Sequence, residues 1–139
     1  GLRSLLGHLV TMAESLRNRL TAHSAISVMN PENFGPVTLF RVYPDDVDTF
    51  EMPRLEQTRA DCAEHLQRHN DYNRRLYQLM YAEALQGDGV VISMTDRFRV
   101  TEYGQPVVAL KSYIMSPFSD QQYVQTVLDS IERARQQLR

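Results

Sequence analysis

The run V-T-L-F-R-V-Y (37–43) constrains the fold more than any other stretch. β-Branched and aromatic side chains crowd a helix but suit a pleated, half-buried surface, so it reads as a strand ending at Pro44. A lone strand leaves its backbone N–H and C=O groups unpaired and must find neighbours. The chain supplies candidates. Residues 26–29 form a short extended run, separated from the first by the turn-rich N-P-E-N-F-G-P (30–36). Three more follow: V-V-I-S-M (90–94) after G-D-G (87–89), the alternating F-R-V-T-E-Y (98–103), and P-V-V-A-L-K-S-Y-I (106–114) after Gly104. Neighbours linked by short turns pair antiparallel.

Helical periodicity frames these strands. Leu2, Leu5, Leu6, Leu9, Ala13, Leu16 and Leu20 predict an amphipathic helix over 2–20. Tyr72, Leu76, Leu79, Met80 and Leu85 predict a second from Asp71 to the glycine turn. Val124, Val127, Leu128, Ile131 and Leu138 predict a third, opened by Ser119 and Gln122 as a capping box. Residues 45–54 read as a polar loop. Residues 55–69 carry helix formers with few apolar anchors and predict an exposed helix. The order is helix, strands, helices, strands, helix, without an internal repeat. It predicts an α+β domain: a small, mostly antiparallel sheet with helices packed on one face.

Composition narrows the classes. The 139 residues suit a single domain (1–139) with an ordinary core. A formal charge of -2 argues against nucleic acid or an anionic membrane as the main partner. No apolar run approaches the roughly 20 residues of a membrane span. No secretory signal is visible, and the lone Cys62 excludes an internal disulfide, which together predict a cytoplasmic protein. The chain begins G-L-R-S-L-L, already inside an apolar repeat and without methionine, which suggests a piece of a longer polypeptide.

Few constellations carry chemistry. Cys62, His65 and His69 stand at i, i+3 and i+7, a spacing that puts potential zinc ligands on one helix face. A fourth ligand is missing, and a solvated helix face is the simpler reading. Asp45, Asp46 and Asp48 lack the glycine and distal glutamate of a calcium loop and read as a polar strand end. R-N-R (17–19) and R-F-R (97–99) could grip oxyanions, but arginine is this chain's default cation, and a surface role is simpler. There is no glycine-rich phosphate loop, no G-x-S-x-G elbow and no nucleophile with a nearby histidine. No complete active site is legible, and no catalytic, cofactor-binding or metal residue is assigned.

Lys111 is the exception. It is the only lysine, and every other basic side chain in the Lys and Arg count is an arginine. Strand alternation sets it with Val107, Ala109 and Tyr113, opposite Val108, Leu110, Ser112 and Ile114. An ammonium in an apolar strand is costly to bury unpaired. It could form a Schiff base if desolvated, bind an anion such as a substrate carboxylate, or snorkel to water from an edge.

Taken in order, several stretches resemble one family. The opening helix G-L-R-S-L-L-G-H-L-V leads to T-L-F-R-V-Y-P (38–44), similar to a "hydrophobic-F-R" strand. Y-N-R-R-L-Y-Q-L-M (72–80) is similar to an "L-N-x-x-L" helix. V-V-A-L-K-S-Y-I-M-S-P-F-S-D (107–120) resembles a closing strand, a Ser-Pro turn at 116–117 and a terminal helix. The whole chain thus resembles the C-terminal small domain of group II pyridoxal-phosphate-dependent amino acid decarboxylases. Among these it is most similar to bacterial enzymes for acidic amino acids, of the aspartate 1-decarboxylase or glutamate decarboxylase type. Two stretches depart from the pattern by being long: 45–70, which looks like a subfamily insertion, and the hairpin 94–106.

The resemblance implies an aminotransferase-like dimer whose upstream domain holds the cofactor. The Schiff-base lysine would lie there, in a Ser-x-His-Lys-like motif absent here. That removes Lys111 from the cofactor role. In several family members an arginine at this point of the closing strand holds the substrate α-carboxylate, so the resemblance implies substrate binding for Lys111. The implied reaction is loss of the α-carboxylate as carbon dioxide, with electrons drawn into the pyridine ring. By itself the chain would be inactive. Two alternatives remain: a domain of another pyridoxal-phosphate enzyme of this fold, and a free-standing interaction or dimerisation module.

Overall fold

The run 37–43 forms the strand it predicts, and its neighbours pair as the turns require. The computed structural model describes residues 2–31, 36–87, 90–113 and 121–139. Helix α1 (Leu2–Ala22) is followed by strands β1 (Ile26–Val28) and β2 (Val37–Val42). Helices α2 (Met52–Thr58) and α3 (Ala63–Leu85) flank a 3₁₀ turn at Ala60–Cys62, and β3 (Ser93–Val100), β4 (Pro106–Tyr113) and α4 (Gln121–Leu138) complete the order. The four-stranded sheet runs β1-β2-β4-β3, antiparallel throughout. The expected α+β class holds.

Register assigns the two faces. Val28 pairs with Phe40, Phe40 with Leu110 and Leu110 with Met94, an apolar row across all the strands. Phe40, Val42 and Leu110 on this face pack into a core with Met12, Leu16 and Leu20 of α1, Leu76 and Met80 of α3, and Val124, Val127 and Ile131 of α4. Burying such side chains contributes about 1.5–3 kcal/mol each before conformational entropy is counted. The opposite face carries the row Leu39–Lys111–Ser93.

Several details differ from expectation. The side chains of Leu2, Leu5, Leu6 and Leu9 lie outside the described residues, as do Ile114, the Ser116-Pro117 turn and the Ser119 cap. The two extended runs 90–94 and 98–103 are one strand, β3, with a register irregularity between Thr95 and Arg99. Val90 and Ile92 enter the core ahead of it without joining the sheet. At the hairpin end Gly104 takes φ +87°, open to glycine at little cost, and Thr101 N–H donates to Gln105 O at 2.8 Å.

The largest difference concerns 55–69. It is not one helix, and one side of it is buried: α2 ends at Thr58, and α3 begins at Ala63 rather than Asp71. Glu56, Leu66, His69 and Asn70 are buried, whereas Leu85, expected on the apolar face, is 70% exposed. Periodicity of apolar residues cannot detect a helix face that is buried by polar contacts.

Candidate functional site

Two cations project from the face turned away from α1 and α4. Arg41 lies two residues beyond Leu39, whose register partner is Lys111. By strand alternation both point the same way.

Lys111 occupies β4, between β2 and β3. It is half-buried, with Leu39 and Ser93 as cross-strand neighbours. Among the described residues its ammonium has neither an ion-pair nor a hydrogen-bond partner. It is therefore not on an edge strand, where the snorkelling reading would put it.

Arg41 is the opposite case, fully buried and paired with a carboxylate. Its Nε donates to Glu56 Oε1 at 2.9 Å, and its Nη1 donates to Asn70 Oδ1 at 2.8 Å and to Val108 O at 2.5 Å. Nη2 lies 2.9 Å from Glu56 Oε1. Glu56, also fully buried, accepts further bonds from Tyr43 Oη at 2.6 Å and His69 Nδ1 at 2.7 Å. Burial raises the Tyr43 phenol above its ordinary value, so it stays a donor. The His69 ring meets Tyr43 edge-on, 5.0 Å between centroids, and its Nε2 is buried without a partner.

Two asparagines of α3 knit this cluster to the sheet. Asn70 accepts from Val108 N–H at 3.0 Å and donates to Pro106 O at 3.0 Å. Asn73 accepts from Val42 N–H at 2.9 Å and donates to Val42 O at 2.8 Å. The paired residues of β2 and β4 stop at Phe40–Leu110, and beyond that point the asparagine amides satisfy the backbone groups the strands leave open. The strand T-L-F-R-V-Y-P and the asparagine of Y-N-R-R-L thus meet in space, at Val42 and Asn73.

The cluster also anchors the β3–β4 hairpin. Tyr103 Oη donates to Glu56 O, and Glu102 N–H donates to Gln57 O at 2.9 Å. The long segments 45–70 and 94–106 therefore hold each other.

The other candidates separate. Cys62 sits half-buried just ahead of α3, His65 is exposed, and His69 faces Glu56, so the three share no ligand geometry. No group of three or more His, Cys, Asp or Glu side chains among the described residues could hold a metal. The solvated-face reading also fails for His69. Asp45 pairs with Arg139 and Arg135, and Asp46 with Arg68. These arginines hold both carboxyls below the ordinary range. Asp48 Oδ1 accepts from Phe50 N–H at 2.9 Å. Of the basic clusters, Arg17 is not a surface residue: it is 4% exposed, and burial lowers its guanidinium. Arg19 reaches Gln125, and Arg99 stacks over Phe98 at 4.6 Å.

Sequence reasoning passed over Glu56, His69, Asn70 and Asn73 as a set. One signal was available: Arg41 is as anomalous in its apolar strand as Lys111 and demands a carboxylate. Nothing in the spacing says that the carboxylate is Glu56.

No family model and no curated protein matches the sequence. Solved structures do. The chain is similar to mouse CSAD (TM-score 0.69, 13% identity, covering 96% of this chain and 24% of that one). It is similar to Catharanthus roseus tryptophan decarboxylase in complex with L-tryptophan (0.66, 17%, 99% and 22%). It is also similar to the glutamate decarboxylase domain of a Vibrio parahaemolyticus diaminobutyrate-pyruvate transaminase and L-2,4-diaminobutyrate decarboxylase (0.61, 14%, 96% and 22%). The chain has the fold of one part of these decarboxylases, the fold its motifs resemble. It spans less than a quarter of the length of each. Among the described residues, no helix is long and apolar enough to cross a membrane.

Proposed function

We propose that this chain is the C-terminal small domain of a pyridoxal-phosphate-dependent amino acid decarboxylase acting on an acidic amino acid. In this reading it closes the active site formed with an upstream cofactor domain of the same polypeptide, in a cytoplasmic homodimer. Lys111 contributes a contact to the substrate α-carboxylate. The observation that carries the reading is a half-buried ammonium without a partner among the described residues, inside a fold shared with amino acid decarboxylases.

The residues here fit that division of labour. The only lysine is Lys111, and it is assigned to substrate, so the cofactor's lysine must come from elsewhere in the polypeptide. When bound, the cofactor supplies an electron sink for the pair left behind as carbon dioxide departs. Lys111 orients the carboxylate before that step. A single ammonium gives charge without the bidentate fork of arginine. Such a grip binds the departing negative charge less tightly, which limits ground-state stabilisation that would oppose its loss.

The test is carbon dioxide release by the full-length protein over a panel of amino acids, followed by Lys111→Met. We expect kcat/KM for an acidic amino acid to fall by about tenfold to a hundredfold, the value of a charge-assisted contact, with partial rescue by Lys111→Arg. Unchanged kinetics would remove Lys111 from the site. Absence of carbon dioxide release from every amino acid would favour the interaction-module reading. The isolated domain is expected to be inactive.

A further inference from the structure

Beyond the decarboxylase reading, the geometry points to a second anion site: the hollow between β1, α2 and the end of β3 binds a phosphate or carboxylate group. The cavity measures about 320 Å³ and is lined by Arg54, Arg99, Ser27 and Gln57, with the side of β1 as its floor. None of its lining residues is acidic. Two other hollows differ. One sets Asp45 and Asp46 beside Arg135 and Arg139, and another sets Asp71 beside Arg68 and Arg75. In a chain of formal net charge -2, a hollow lined by two guanidiniums and no carboxylate has the charge of an oxyanion receptor.

The two arginines are differently committed. Arg99 has no carboxylate partner among the described residues. Its Nη1 and Nη2 lie 3.3 Å from Gln57 Oε1 and 3.4 Å from Met29 O, long contacts to neutral acceptors that leave the charge uncompensated. The Phe98 ring supports it. Arg54 spends Nη2 on Glu51 at 2.7 Å, an exposed pair that contributes little and leaves its other N–H groups for a ligand. Two guanidinium forks suit the oxygens of a carboxylate or phosphate.

The walls are clamped before any ligand arrives. Glu102 N–H to Gln57 O and Tyr103 Oη to Glu56 O fasten the hairpin carrying Arg99 to the helix carrying Arg54. Glu56 in turn is fixed by the buried cluster, so the backbone positions of the two arginines are set by the fold, and binding has only their exposed side chains to order. The hollow is also separate from Lys111. Arg99 pairs with Val107, four residues before Lys111 along β4, which is roughly 13 Å at strand rise.

The experiment titrates the full-length protein with inorganic phosphate and, separately, with succinate, at constant ionic strength, by calorimetry. One saturable site that weakens at least about tenfold in Arg99→Gln, and is unchanged in Arg75→Gln, supports the inference. The stronger of the two anions identifies the group recognised. Arg99→Lys, which keeps the charge, should retain part of the affinity, and it serves if Arg99→Gln folds poorly. No saturable binding of either anion, or equal binding by wild type and an Arg54→Gln/Arg99→Gln double variant, overturns it. Lys111→Met separates the two sites: it should lower kcat/KM by about tenfold to a hundredfold and leave phosphate binding intact, and succinate binding that Lys111→Met weakens but Arg99→Gln spares belongs to the substrate site.

Discussion

Arg41 and Lys111 are two cations set in adjacent apolar strands, facing the same way, with opposite fates. Arg41 is sealed and neutralised inside the domain by Glu56, with Nε and Nη1 hydrogen-bonded and Nη2 beside the same carboxylate. Lys111 is half-covered and has no partner among the described residues. The difference teaches how to separate a structural charge from one kept for a ligand. A charge that belongs to the fold recruits its counter-ion from the fold. A charge without one, on a sheet face turned away from α1 and α4, is available to something outside.

The sharpest way to break this contrast is to strip Arg41 of its counter-ion. Glu56→Ala leaves a buried, uncompensated guanidinium and removes the acceptor for Tyr43 and His69. The expected loss is about 3–5 kcal/mol in urea unfolding, enough to leave many domains largely unfolded. Next comes Asn73→Ala, which orphans Val42 N–H and Val42 O at the end of β2. About 1–3 kcal/mol should be lost, with faster amide exchange at Val42.

A smaller effect comes from the exposed acidic pairs. Arg139 and Arg135 hold the Asp45 carboxyl below its ordinary value of 3.8. A depressed carboxylate adds stability that is present above the unfolded value and lost as pH falls through the folded one. Melting temperature should therefore decline slightly more steeply below about pH 4 in wild type than in Asp45→Asn. Because Asp45 is exposed, the difference is small and shrinks with salt. The smallest stability effect belongs to Lys111→Met, expected within about 0.5 kcal/mol of wild type, because nothing among the described residues depends on the ammonium. A substitution nearly silent in unfolding but costly in carbon dioxide release would place Lys111 outside the structural class that Arg41 defines.

Much of the scaffold was legible. The run 37–43, the periodic residues of α1 and α4 and the turn at Gly104 are local signals, and local sterics and amphipathicity decide them. The site was half legible. Lys111 stood out because it is the sole lysine in an apolar strand. Glu56, His69, Asn70 and Asn73 did not, because polar side chains in a helix former's context look the same whether they face water or a buried arginine. The run 55–69 was misjudged for that reason: its buried face is polar, and hydrophobic periodicity is blind to it.

Local patterns in the sequence were enough for the alternation of strands and helices, the antiparallel pairing through short turns and the conspicuous charge at Lys111. Only the tertiary structure decided which charge is spent. Counter-ion pairing acts over a few ångströms in space, and Glu56 and Asn70 reach Arg41 from 15 and 29 residues away in the chain. Chain closure between such distant residues is governed by packing of the whole core, and no local pattern encodes it.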